Sequence, residues 1–300
     1  MQRILFATDL TDRAAAAARQ ALSLAAAHGA ELRVVHAIEA DLEEETLERI
    51  FQGQGQGAQE AAQALVQASE EQIRAQMQAA GAEDTASYDV RCRWGQPYAE
   101  IAAEAQEWQA SLVVIGVHGQ RVLRDLVLGS TVERLVHQLA RPILVVKAEE
   151  PALYRRVLIP VDGSERSRQA VAVSDRMAPQ AELQLLSVFD STGIARVLGT
   201  GSEGNRVGMA HAAAEGREQR EEQLEAFVAE MDSPERIAHY EVRSGHPGKV
   251  IVEAASEWGA DLVALGTRGL SRWEGALLGS VARRVAHEVE RDVLLVPEAR

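Results

Sequence analysis

One stretch of this chain is written twice. Gly116 to Val146 reads GVHGQRVLRDLVLGSTVERLVHQLARPILVV, and Gly266 to Val296 repeats its layout without a gap at an offset of 150 residues. Each copy opens on two glycines three positions apart, Gly116 and Gly119 or Gly266 and Gly269. Nine residues later, Gly129-Ser130-Thr131 or Gly279-Ser280-Val281 leads into a helical pattern. An apolar run, Ile143–Val146 or Val293–Val296, closes the copy. A spaced glycine set met once is weak evidence. Met twice in one strand–loop–helix–strand context, it makes the chain a tandem repeat, and the repeat outranks any local assignment.

The rest of the pattern also runs twice. Ile4–Ala7 reads as a short buried strand ended by Thr8-Asp9, and Arg156–Val161 repeats it up to Asp162. Thr11 reads as the cap of an alanine-rich helix over Ala14–Ala27. Leu32–Ile38 and Leu183–Phe189 read as second strands. Third strands fall at Tyr88–Arg93 and Ile237–Arg243. Gly95-Gln96-Pro97 and Gly245-His246-Pro247 turn into helices that end near Trp108 and Trp258, before the fourth strands Leu112–Ile115 and Leu262–Leu265. The glycines from Gly53 to Gly57 follow no strand, so they read as a loop before a helix over Gln59–Ala79. Asp190–Gly208 reads as a mobile loop and Ala210–Met231 as a charged helix. Glu149-Glu150-Pro151 is a polar break, placing two domains at 1–150 and 151–300.

Strands alternating with helices predict βαβ units: in each repeat a five-stranded, mostly parallel, doubly wound α/β sheet with helices on both faces. Ligands of such sheets sit beyond the carboxyl ends of the strands, where the strand order reverses. Gly116 and Gly266 end apolar runs, where glycine permits a sharp turn or a close ligand approach. Gly129-Ser130 and Gly279-Ser280 stand at helix starts, whose free N–H groups and positive dipole end suit a phosphate. The serine hydroxyl can cap the helix or donate to a phosphate oxygen. The bland alternative is that these glycines only make turns.

G-x-x-G, nine residues, then G-[ST], with an aspartate ending the first strand, resembles the universal stress protein family over nearly the whole chain. The resemblance implies two tandem domains of that family, each with the glycine motif that marks its ATP-binding members. It places strands one and four side by side, so that one crevice holds both the aspartate and the glycine loop. It also implies that the residue late in strand two, Ala37 or Val188, contacts adenine through its backbone. Pro160 before Val161-Asp162 is close to the family's usual ending of strand one; Ala7-Thr8-Asp9 departs from it.

Asp9 and Asp162 can accept hydrogen bonds from a ribose or help to hold a metal, or they can serve only their own turns. His118 and Arg268, inside the glycine loops, can reach phosphates or simply face solvent. Thr131 and Val281 differ between the copies, which backbone N–H donation tolerates. His36 reads as a packed strand histidine, and His137 and His287 as helix-surface residues without metal-ligand companions. Cys92, the single cysteine, reads as a half-buried strand residue and excludes an internal disulfide.

The net charge of −14 argues against nucleic acid and anionic membrane surfaces as partners. No signal-peptide pattern and no apolar run near ~18 residues is evident, so a cytoplasmic protein is expected. There is no Walker lysine, no nucleophile elbow and no residue obviously placed to activate water against a phosphate. The reading is therefore a regulatory or stress-response module that binds ATP or another adenine nucleotide, with or without Mg or Mn, and has no catalytic residue and no assigned metal ligand. It is expected to form an intramolecular pseudo-dimer through its final strands, to be capable of homodimerising, and to serve a protein partner the residues do not identify. The alternative is a slow metal-dependent ATPase or nucleotidyl-transfer enzyme using the same pocket.

Overall fold

The computed structural model describes residues 1–12, 14–39, 57–82, 87–117, 129–151, 153–190, 203–267 and 278–297. They form two compact units, the second beginning at Leu153.

In unit 1 the strands are β1 (Arg3–Ala7), β2 (Glu31–Ile38), β3 (Asp89–Trp94), β4 (Leu112–Gly116) and β5 (Ile143–Val146). The helices are α1 (Ala14–His28), α2 (Gly57–Ala79), α3 (Pro97–Glu107) and α4 (Ser130–Gln138). The sheet order is β3-β2-β1-β4-β5, and every pairing is parallel. Ala7 at the end of β1 stands between Val35 of β2 and Ile115 of β4. The strands β1, β4 and β5 read as almost unbroken apolar runs because helices cover both faces. The edge strand β3 carries alternating charges instead.

Unit 2 repeats this with β6 (Arg156–Pro160), α5 (Glu165–Met177), β7 (Glu182–Phe189), α6 (Glu203–Ala229), β8 (Ile237–Ser244), α7 (Pro247–Trp258), β9 (Leu262–Gly266), α8 (Ser280–Glu288) and β10 (Asp292–Val296). Its order is β8-β7-β6-β9-β10, again all parallel. That makes eight α-helices among the described residues.

Helices that serve successive steps in one direction along the sheet must lie on one face, and those that serve the return lie on the other. Accordingly α1 packs against α2, and α3 against α4. The alanines of α1 have a reason: Ala17, Ala18 and Ala21 are fully buried, and their small side chains let the helix sit close on the sheet. Helix α4 keeps only a narrow apolar stripe, Val132, Leu135 and Val136.

Three local expectations change. Thr11 does not cap α1 with its side chain: its hydroxyl donates to Asp9 Oδ1 at 2.8 Å, and its carbonyl accepts from Ala14 N. Helix α2 starts at Gly57, so the last glycine of that cluster is already helical; 53–56 lie outside the described residues. The expected loop over Asp190–Gly208 is shorter, because α6 begins at Glu203; 191–202 lie outside the described residues.

Helix α3 is tied to the sheet by charge. Arg93, at the end of β3, reaches Glu100, Glu104 and Glu107 on α3, each at 2.8 Å. Glu104 is 3% exposed, and it also receives Arg33 at 2.7 Å. The Arg33 guanidinium lies 4.5 Å over the Trp108 ring, and the Trp108 carbonyl accepts from Arg3 at 3.1 Å. Thus the tryptophan closing α3 seats the helix end on β1 and β2. Trp258 does the same on β6 through Arg156 at 3.1 Å. Cys92 is half-buried, and burial pushes its thiol above its ordinary range.

Two outcomes are expected. Ala21→Leu should overpack the α1–sheet contact and destabilise the chain by about 1–3 kcal/mol in urea unfolding. Hydrogen bonds from Arg93 hold the Glu107 carboxyl below its usual value. A lowered folded pKa favours the fold above the ordinary carboxylate range, and that contribution fades as pH falls through the lowered value. In an NMR titration Arg93→Met should return Glu107 toward about 4.3; an unmoved midpoint would show that the ion pair is not formed in solution.

Candidate functional site: paired crevices at the strand carboxyl ends

Because β1 lies between β2 and β4, the chain leaves β1 in one direction and later returns past it in the other. Among the described residues, a crevice opens at the carboxyl ends where that reversal occurs. In unit 1 it holds a cavity of about 430 Å³. Its walls are Ala7, Thr8 and Asp9 at the end of β1, His36 to Glu39 at the end of β2, Pro97 and Ile101 of α3, Ile115 to Val117 at the end of β4, and Thr131 of α4. Unit 2 holds a cavity of about 270 Å³ at the same place. Pro160, Val161, Asp162, Leu186, Val188, Pro247, Ile251, Leu265, Gly266 and Gly279 to Ala282 line it.

Each aspartate leaves its strand at the mouth of the crevice. Thr8 N donates to Val35 O at 3.0 Å and Val161 N to Leu186 O at 2.9 Å, so the ladder ends just before the carboxylate. Asp9 Oδ1 accepts from Thr11 N at 3.0 Å and from the Thr11 hydroxyl at 2.8 Å. Asp162 Oδ1 accepts from Ser164 N at 3.0 Å and from the Ser167 hydroxyl at 2.6 Å. Both carboxylates are therefore oriented by their own turns while lining the cavity.

The turns themselves differ. Leu10 has φ 62°, a left-handed backbone that disfavours any residue with a Cβ by about 1–2 kcal/mol. Its counterpart is Gly163 with φ 85°, for which no such penalty exists.

At the opposite wall stands a helix N-terminus. Gly129 is the N-cap of α4 with φ −61° and ψ 150°, and Gly279 the N-cap of α8 with φ −59° and ψ 149°. Neither cap uses a side chain. Ser130 and Ser280 are the first helical residues, so the expectation that their hydroxyls cap the helix is corrected: the glycine before each holds that position. The φ values are negative, so these glycines are not demanded by the turn. Their effect is to leave the first-turn N–H groups without a side chain in front of them, the chemistry that takes an anion. Gly116 and Gly266 remain within the ladder, paired with Val146 and Val296, so neither makes a sharp turn.

Of the residues singled out in the sequence, one crevice thus gathers Asp9, Ala37, Gly116 and Thr131, with Gly129 and Ser130 heading the same helix. The other gathers Pro160, Asp162, Val188, Gly266, Gly279, Ser280 and Val281. His118, Gly119, Arg268 and Gly269 lie outside the described residues. Sequence reasoning missed the prolines and isoleucines of α3 and α7, and it treated His36 as packing alone. His36 lines the cavity, and its Nδ1 lies 2.9 Å from Thr8 O. A carbonyl only accepts, so Nδ1 carries the proton there. His137 is exposed and His287 half-buried, each in the last turn of its helix. Among the described residues no three His, Cys, Asp or Glu side chains converge as a metal site, and no helix is long and apolar enough to cross a membrane.

These features have counterparts in known proteins. The sequence model of the universal stress protein family matches residues 1–147 and again 153–297. A universal stress protein of Mycolicibacterium smegmatis is 30% identical over 193 residues, 62% of this chain and 62% of that protein. The chain thus spans less than two thirds of that relative's length. Universal stress protein Sll1388 of Synechocystis is 30% identical over 155 residues, covering 48% of this chain and 97% of the relative. Among solved structures, a universal stress protein from Archaeoglobus fulgidus has the same fold, with a TM-score of 0.63 at 18% identity over 99% of this chain and 98% of its own.

Proposed function

The chain belongs to the universal stress protein family, and from that premise we propose that it is an ATP-binding regulatory protein with one adenine-nucleotide site in each unit. The observation that carries this reading is the meeting, in both crevices, of a strand-end aspartate with a glycine-headed helix N-terminus. The parts of the nucleotide distribute naturally over those walls. First-turn N–H groups of α4 and α8, with the glycine loops 116–119 and 266–269, receive the phosphates. Asp9 and Asp162 accept from the ribose hydroxyls. Ala37 and Val188, late in the second strands, offer backbone groups to the adenine edge, and Ile101 or Ile251 gives an apolar wall. A divalent cation travels with the phosphates in this reading rather than in a site built by the protein. Nucleotide occupancy, rather than turnover, is the signal such a site provides to a partner.

Calorimetry with ATP tests this directly, and two equivalents are expected. Glutamate at the first position of a helix favours the helix dipole while placing a negative charge where a phosphate would sit. Ser130→Glu should therefore remove one equivalent and Ser280→Glu the other, with cooperative unfolding retained. ATP at about 100 times its Kd should stabilise an occupied unit by about 2.7 kcal/mol, and the double variant should lose that shift. A folded double variant that still takes two equivalents at unchanged affinity would overturn the reading.

A further inference from the structure

The two units make the same turn after strand one by different means. In unit 1 the turn is held from a distant helix. The Thr8 hydroxyl donates to Gln76 Oε1 at 2.7 Å, and Gln76 Nε2 donates to the Thr11 carbonyl at 3.0 Å. Leu10 N donates to the Thr8 hydroxyl at 3.0 Å. One carboxamide on α2 thus grips both ends of the four-residue turn 8–11, with Asp9 and the left-handed Leu10 between its two grips. In unit 2 Val161 replaces Thr8 and has no hydroxyl to offer. Gly163 takes the left-handed backbone without a Cβ, and Asp162 is fixed by Ser167 of its own helix α5. Asp162 N in turn donates to the Ser167 hydroxyl at 3.1 Å.

We propose that Gln76 is a positioning residue for the unit 1 site. Its side chain holds Leu10 in a conformation that a leucine does not adopt on its own, and so sets where Asp9 stands in the crevice. The unit 1 site is thereby coupled to the docking of α2, whereas the unit 2 site is set by its own loop. The two sites are accordingly non-equivalent, and only one responds to what happens at α2. This inference rests on the reading of the crevices as nucleotide sites.

The test uses the full chain carrying Ser280→Glu, so that ATP reports on unit 1 alone. Gln76→Leu keeps a helix-favouring residue of similar size and removes both grips. It should weaken ATP binding about tenfold, the order expected when two hydrogen bonds of ordinary net strength are lost. Adding Leu10→Gly should restore most of that affinity, because glycine takes the left-handed turn without being held. With Ser130→Glu in place of Ser280→Glu, Gln76→Leu should leave ATP binding at unit 2 unchanged. An affinity within twofold of the parent in Gln76→Leu, or a loss that Leu10→Gly does not recover, would overturn the proposal. Hydrogen exchange separates this from a failure of the nucleotide reading itself. If the parent chain binds no ATP, the function is wrong, yet the Leu10 amide should still exchange faster in Gln76→Leu; unchanged exchange there would remove the clamp as well.

Discussion

The position of β1 governs the rest of each unit. It is the first strand made and the middle strand of the sheet, flanked by β2 and β4. A parallel sheet built outward from its first strand must at some point return past it, and right-handed crossovers then put helices on both faces. That arrangement buries the strands from both sides, which is why β1, β4 and β5 are nearly all apolar. It also leaves a gap at the carboxyl ends, between the turn that leaves β1 and the loop that leaves β4. The aspartates and the glycine-capped helix starts are placed by that gap. The aspartate is there because β1 ends there. The glycine-capped helix is there because α4 must carry the chain from the carboxyl end of β4 back to the start of β5.

Much of this was legible in the residues, and for a physical reason. Apolar runs of four to five residues bounded by glycine, proline or aspartate have few other uses, and the 150-residue repeat supplied each assignment with an independent second instance. The helix beginning at Ser130 followed from Gly129-Ser130 before an amphipathic stretch, and Val132, Leu135 and Val136 are its buried face. What the pattern could not convey was which glycine does what. Gly116 and Gly129 read either as turn makers or as openings for a ligand; Gly116 stays in the strand ladder and Gly129 is an N-cap with negative φ, so neither makes a turn that needs glycine. Glycine is required by backbone angle at Gly95, φ 139°, and at its counterpart Gly245, φ 143°, where a Cβ would also stand 2.8 Å from the Val250 side chain. Motif spacing does not distinguish an unusual backbone angle from an absent side chain.

Gln76 was illegible for a different reason. Helix α2 is rich in glutamine, with Gln59, Gln63, Gln67, Gln72, Gln76 and Gln78. Nothing in local sequence marks one of them as different from its solvated neighbours. Its role depends on a contact across 65 to 68 residues, which only the packing of α1 on α2 creates. Leu10 gave no warning either, because a leucine in a turn predicts nothing about the sign of φ. Thr11 was read as a helix cap, a common task for threonine beside a helix start, and its hydroxyl instead serves Asp9.

The contrast between the turns also bears on how a duplicated site diverges. Holding Leu10 left-handed costs about 1–2 kcal/mol. A hydrogen bond contributes about 0.5–1.5 kcal/mol net, so the two bonds made by Gln76 offset that cost with little to spare. Unit 2 avoids the balance altogether, because Gly163 meets no such cost at the same angle. A turn held near balance yields readily to whatever disturbs its holder, and a turn that needs no holder does not. Linkage makes the relation reciprocal: a ligand that needs Asp9 in place must also favour the docked state of α2, by the same free energy that docking lends to the ligand. In the proposed coupling, leucine against glycine is the residue difference that leaves one turn in need of a holder and the other without that need.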